Sequence, residues 1–122
     1  MRTIKFRAKR IKYNDWRYGS PIKDGKKTIL ASNEEWSFVD ANTVGQFIGL
    51  HDVDCHAIFE GDIIKTIPHG DVLQVVYNTA DAEFIGIGDN GKLSFANKYI
   101  MYKVIGNIHD NPELLTTNNK AK

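Results

Sequence analysis

The sequence predicts an all-β protein built as a small barrel or sandwich. Apolar residues recur at period two in several short runs, as half-buried strands require. Turn-forming clusters such as "SNE", "PHG" and "DNG" separate those runs closely, and closely spaced short strands indicate a barrel or sandwich. At 122 residues the chain is long enough to bury a core without disulfide or metal staples, as one compact domain with an appended arm.

Taken in order, "TIKFRAK" places Ile4, Phe6 and Ala8 on one face and Lys5, Arg7 and Lys9 on the other. "KTILA" and "EWSFVD" are two further strands joined by "SNE". In "DANTVG", Asp40 caps a single helical turn that Gly45 ends. "IFEGDIIKTI" reads as one strand with Phe59, Ile63 and Ile67 on one side, followed by the turn "PHG" with Pro68 and Gly70. "DVLQVVYN" is apolar on both faces and suits a central strand. "AEFIGIG", "DNG" and "KLSFA" form a hairpin, and "MYKVIGNI" is the last strand. "NPELL" reads as a short helical cap with Asn111 at its N-cap and Pro112 at its first position.

Charge is segregated. Residues 1–27 hold ten Lys/Arg (Arg2, Lys5, Arg7, Lys9, Arg10, Lys12, Arg17, Lys23, Lys26, Lys27) against Asp15 and Asp24. Residues 28–64 hold no Lys or Arg and seven acids: Glu34, Glu35, Asp40, Asp52, Asp54, Glu60 and Asp62. Such opposed segments can pair within a chain or between subunits as readily as with nucleic acid. A single Cys allows no internal disulfide. "MRTIKFRAKR" lacks the apolar region of a secretory signal, and no apolar run reaches the length of a membrane span. A cytoplasmic protein without a membrane segment is the expectation.

Three stretches, "IKFRA" (Ile4–Ala8), "TVGQFIGLHDVDCHAIFEGDII" (Thr43–Ile64) and "YKVIGNIHDNPELL" (Tyr102–Leu115), make the chain similar to the YopX family of bacteriophage and prophage proteins. The resemblance implies an SH3-like barrel over residues 43–115, preceded by an N-terminal strand region and oligomerisation arm over 1–42 and followed by a flexible tail over 116–122. It also implies a homo-oligomer in the bacterial host cytoplasm, and it brings no activity. Two departures stand out. The family's turn of the type Asp-Lys-Asn-Gly-Lys is here Asp52-Val53-Asp54-Cys55-His56, so Cys55 occupies the turn glycine's place. The Trp-Asp that often follows the first motif is here Lys9-Arg10.

The motifs that resemble chemistry have simpler readings. His51, Asp52, Asp54, Cys55 and His56 are ligand types for zinc. Their spacing is poor and no second Cys completes a site, so a solvated turn is the stronger reading and no metal or other cofactor is expected. Glu60 and Asp62 on one strand face, about 7 Å apart, have the spacing of a glycosidase acid–base pair. Gly61 between them points to a bulge, and the SH3-like barrel that the resemblance implies would have Asp62, after a Gly at a strand start, accept backbone N–H bonds and fix the turn. "GIGDNG" matches the dinucleotide pattern G-x-G-x-x-G, but no helix follows to receive a phosphate. Cys55 has acidic neighbours, which raise a thiol pKa. No catalytic residue is assigned and the protein is read as non-enzymatic.

The aromatics Phe6, Tyr13, Trp16, Tyr18, Trp36, Phe38, Phe47 and Phe59 read as packing residues, although some are interleaved with arginines as in single-strand binders. The leading expectation is therefore an accessory protein that assembles with itself or with a host or phage protein. Its amphipathic "TIKFRA" would serve as an edge strand and its basic segment would dock on the acidic 28–64 surface. The alternative is a nucleic-acid-binding module using Lys5, Arg7, Lys9, Arg10 and Lys12.

Overall fold

The computed structural model of the chain describes residues 3–97 and 99–115. It is all-β, with two antiparallel sheets. The first strands are β1 (Phe6–Lys9), β2 (Trp16–Asp24), β3 (Lys27–Ser32), β4 (Glu35–Val39) and β5 (Gly45–His51). The remainder are β6 (Ala57–Phe59), β7 (Asp62–Ile67), β8 (Val72–Asn78), β9 (Glu83–Gly88), β10 (Gly91–Ser94) and β11 (Met101–Asn107). Among the described residues no helix is long and apolar enough to cross a membrane. The expected tail over 116–122 lies outside the described residues, apart from which the chain divides into two compact units, residues 1–49 and 50–122.

In the first unit the strand order is β4-β3-β2-β1-β5. β1 therefore lies between β2 and β5, and the expectation that it forms a free edge is corrected. Its amphipathic pattern also departs from expectation, because Arg7 is buried together with Ala8. Arg7 and Lys9 lie against the Trp16 ring, while Phe6 and Lys9 are half-buried. Ala8, Leu30 and Val39 form a buried cluster against which Val44 packs.

β2, the longest strand, has no period-two signal and contains Gly19 and Pro21, both disfavoured in strands. The register explains why it is extended. Trp16 to Gly19 pair with β1, whereas Ser20 to Asp24 pair with β3. Pro21 thus sits in a segment paired with β3 and past the end of the β1 ladder, where a missing N–H is tolerated. Gly19 sits at the change of partner, and a Cβ there would lie 2.4 Å from the Ala31 carbonyl oxygen. At the far end of the sheet a single bridge, Arg10 with Val39, returns β4 to the end of β1. Asp40 N–H donates to Lys9 O and Ile11 N–H to Phe38 O beside it.

Between β4 and β5, Asp40 caps a 3₁₀ turn over Ala41–Thr43, its carboxylate accepting from Asn42 N–H. The turn stops at Val44, one residue before the expected Gly45, which already begins β5. Thr43 is buried; its hydroxyl donates to Asp40 O and accepts from Lys9 N–H. That hydroxyl fastens the turn to β1.

In the second unit β7 to β11 are ordered β10-β9-β8-β7-β11. β8 is central, as its sequence predicts, and buries Leu73 and Val75. "GIGDNG" is a hairpin in which Gly88 pairs with Gly91 across Asp89 and Asn90. Gly86 and Gly88 are glycine because Leu73 lies over them: added Cβ atoms would be 3.0 and 2.5 Å from its side chain. The expected continuous strand "IFEGDIIKTI" is instead two strands, β6 and β7, broken at Glu60 and Gly61. Gly61 has φ 94°, a left-handed conformation that glycine adopts at no steric cost. Neither sheet closes on itself, so the barrel closure implied by the family resemblance is not present among the described residues. Residues 113–115 are helical, as "NPELL" predicts, but Asn111 Oδ1 accepts from Asn107 N–H rather than capping that turn.

Gly19→Ala is expected to destabilise the protein by about 1–3 kcal/mol, because a strand backbone must shift to admit the methyl group. Urea denaturation measures this, with the exposed Ser20→Ala as a near-neutral reference.

Candidate functional site

The densest polar stretch of the sequence folds into a turn, and its chemistry is structural. Asp52 N–H donates to His56 O, and Cys55 N–H to Asp52 O. The Asp52 carboxylate is buried and accepts from Asp54 and His56 N–H through Oδ1 and from Val104 N–H through Oδ2. Val53 N–H donates to Tyr102 O. These bonds tie the turn to β11, the outer strand of its sheet. Burial pushes the Asp52 carboxyl up, but the three N–H bonds and nearby His56 outweigh it and hold the group below the usual carboxylate value.

Of the five metal-ligand types in this stretch, the fold brings Asp52, Asp54 and His56 together, with ligand atoms within 4.8 Å of one another. Both Asp52 oxygens already accept backbone N–H bonds, and Asp54 pairs with Lys103 at 2.7 Å. Cys55 is exposed with φ 66°. The position that is glycine in the family's turn pattern thus requires the left-handed conformation, which costs a side-chain-bearing residue about 1–2 kcal/mol.

The second carboxylate pair is also separated by the fold. Glu60 lies in the turn before β7, while Asp62 is 1% exposed and accepts from Phe59 N–H through Oδ2. Gly61 N–H donates to Val75 O and Gly61 O accepts from Ile108 N–H. The Gly-Asp pair anchors the start of β7, the turn role that the family resemblance implies.

The five basic residues singled out from the sequence lie against three different rings. Lys5 Nζ lies 5.3 Å from the Phe47 ring, while Arg7 Cζ and Lys9 Nζ lie 4.5 and 5.7 Å from the Trp16 ring. Arg10 and Lys12 instead flank Tyr13, at 4.0 and 5.6 Å from its ring centre. The Arg10 guanidinium grips Asp15 with two bonds of 2.7 and 2.6 Å, which hold the Asp15 carboxyl below its ordinary value.

Around this second group the first unit opens a groove of about 420 Å³, lined among others by Arg10, Lys12, Tyr13, Lys27, Trp36 and Phe38. Among the described residues no Asp or Glu lines it. Trp36 and Phe38 meet edge to face at 5.2 Å, with Lys27 Nζ 4.8 Å from the Phe38 ring. Lys27, far from the first strand in sequence, was not among the predicted residues. Its signal is the register: Thr28 pairs with Val39, which sets Lys27 beside the end of β4.

The sequence matches the YopX protein family over residues 5–116. The chain belongs to the YopX family. No curated protein sequence matches it. Family membership places the Asp52 turn, the Gly61-Asp62 corner and the last strand within the matched span, together with the groove.

Two outcomes follow from the turn. Asp52→Asn opposes an amide NH₂ to N–H donors and is expected to cost about 1–3 kcal/mol at pH 7. The folded carboxyl lies below its unfolded value of 3.8, so its stabilisation is full above that pH and is lost as pH falls further. Denaturant titrations should therefore show the gap between parent and variant narrowing in acid. Cys55→Gly relieves the left-handed strain and should raise stability by up to about 1 kcal/mol, read as a higher melting temperature.

Proposed function

We propose that this YopX-family protein is a non-enzymatic accessory protein of phage or prophage origin, working in the bacterial cytoplasm as a self-assembling protein-interaction module. The observation that carries this reading is apolar surface left uncovered. In the second unit Leu50, Val53 and Met101 are 37%, 42% and 54% exposed. They border, with Phe95 and Ile100, a groove of about 490 Å³. Contiguous exposed apolar surface of this kind marks interaction sites.

Charge supports association between copies. Residues 1–49 carry ten Lys/Arg against five Asp/Glu, and residues 50–122 carry six Lys against ten Asp/Glu. Opposite units of neighbouring molecules therefore attract. A strand of one copy adding to β1 of another is not part of the proposal, since β1 is internal to its sheet.

The nucleic-acid reading is kept because a specific observation favours it: exposed rings and cations share the groove of the first unit. The acidic segment 28–64 would repel phosphate, but four of its seven acids are engaged. Asp52 and Asp62 are buried, Asp40 caps a turn, and Asp54 faces Lys103.

Light scattering after size exclusion tests assembly. At micromolar protein the mass should exceed that of one chain, fall with Met101→Asp, and fall with rising salt. A single-chain mass at both low and high salt sinks this reading.

A further inference from the structure

We infer that the Tyr13–Trp36–Phe38 groove of the first unit binds single-stranded nucleic acid, bases stacking on the rings and phosphates meeting Lys12 and Lys27. The inference rests on the nucleic-acid reading above and relocates its site. Lys5, Arg7 and Lys9 are poor candidates for the centre, since Arg7 is buried and all three lie against Phe47 or Trp16.

The rings are the first support. Tyr13 is 60% exposed, Trp36 59% and Phe38 37%. An indole left largely in water is costly unless something covers it, and a nucleobase is a flat partner that any aromatic face accepts. Arg10 packs on Tyr13 and is locked by Asp15, so the tyrosine ring is fixed before a ligand arrives.

Charge is the second. Among the described residues the lining holds three cations and no acid. Arg10 is already paired with Asp15, which leaves Lys12 and Lys27, both exposed, to meet a polyanion. Glu34 and Glu35 lie in the neighbouring hollow with Arg17 and Tyr18, so they bound the path of a strand on that side.

The third argument separates a nucleic acid from an acidic peptide. A peptide would gain most of its affinity by pairing with the outer edge of β4. That edge is occupied at Phe38 and Val39 by the Ile11 N–H bond and the Arg10 bridge. Unpaired bases need no such edge. A duplex keeps its bases stacked on one another, so the rings would have nothing to receive.

The full chain is titrated with fluorescein-labelled oligo-dT, oligo-rU and a mixed-sequence duplex of equal length at about 50 mM salt. Single strands should bind at micromolar protein or tighter, more strongly than the duplex, and the DNA and RNA arms show which sugar is preferred. Trp36→Ala and Tyr13→Ala, both at exposed positions, should each weaken binding roughly 5- to 150-fold. Lys12→Ala with Lys27→Ala should lower the dependence of log affinity on log salt by about one to two. Urea midpoints of the variants confirm that each stays folded. No binding of any oligonucleotide overturns both the inference and the reading beneath it. Binding that ignores Trp36→Ala and Tyr13→Ala, or favours the duplex, overturns the groove alone. Capture of an acidic peptide or anionic vesicles, lost with Trp36→Ala, in the absence of oligonucleotide binding likewise overturns it.

Discussion

One buried carboxylate organises the second unit. Asp52 accepts three backbone N–H bonds, two from its own turn and one from Val104 on β11. Without it, Asp54, His56 and Val104 would each lose an acceptor, and each loss has the cost of an unsatisfied amide. The Val53 bond to Tyr102 and the Asp54–Lys103 pair extend the same seam along the outer strand of the sheet. The exposed ion pair adds little to stability; the buried acceptor is what holds the turn in place. It also covers part of a strand edge that would otherwise be open to pairing with another chain.

By the same economy, the segment with seven acids and no cation presents fewer of them to solvent than its sequence suggests. Two of those carboxylates are interior acceptors and one caps a turn. Net charge along a sequence counts them equally with surface groups, whereas the surrounding field is set by the charges that remain exposed. The basic stretch is divided in a similar way. Arg7 is buried and Arg10 is matched by Asp15, whereas Lys12, Arg17, Lys23, Lys26 and Lys27 are exposed. The charges that remain for partners are fewer than the sequence suggests, and Lys12 and Lys27 among them lie beside aromatic rings.

Most strands were legible because their side chains alternate. β3, β4, β9, β10 and β11 fall within stretches where short strand patterns and turn residues agree, β8 is marked by its two apolar faces, and the Asp40 cap and the Gly61-Asp62 corner are visible for local reasons too. β2 was not legible. Its Gly19 and Pro21 are explained only by the change of ladder partner, which is a property of the assembled sheet. The break at Glu60 was hidden because Phe59 and Ile63 keep the alternation that a continuous strand would show. The groove was half visible: Arg10, Lys12 and the aromatics are recognisable types, but Lys27 joins them through the β3–β4 register, and Arg7 leaves them through burial beside Trp16.

The first unit also shows where its apolar residues have been spent. Its buried cluster is made of Ala8, Leu30 and Val39, side chains of small to moderate size. Several larger ones, Ile11, Tyr13, Tyr18, Ile22, Trp36 and Phe38, are exposed, while Phe47 is buried. Burying a large side chain stabilises by about 1.5–3 kcal/mol, so a sheet selected for stability alone would turn them inward. Trp36 and Phe38 pack edge to face, and cations lie against Phe38 and Tyr13. An outward aromatic face held by cations and a locked arginine is then stable without a partner, and it gains the remaining burial only when a partner covers it.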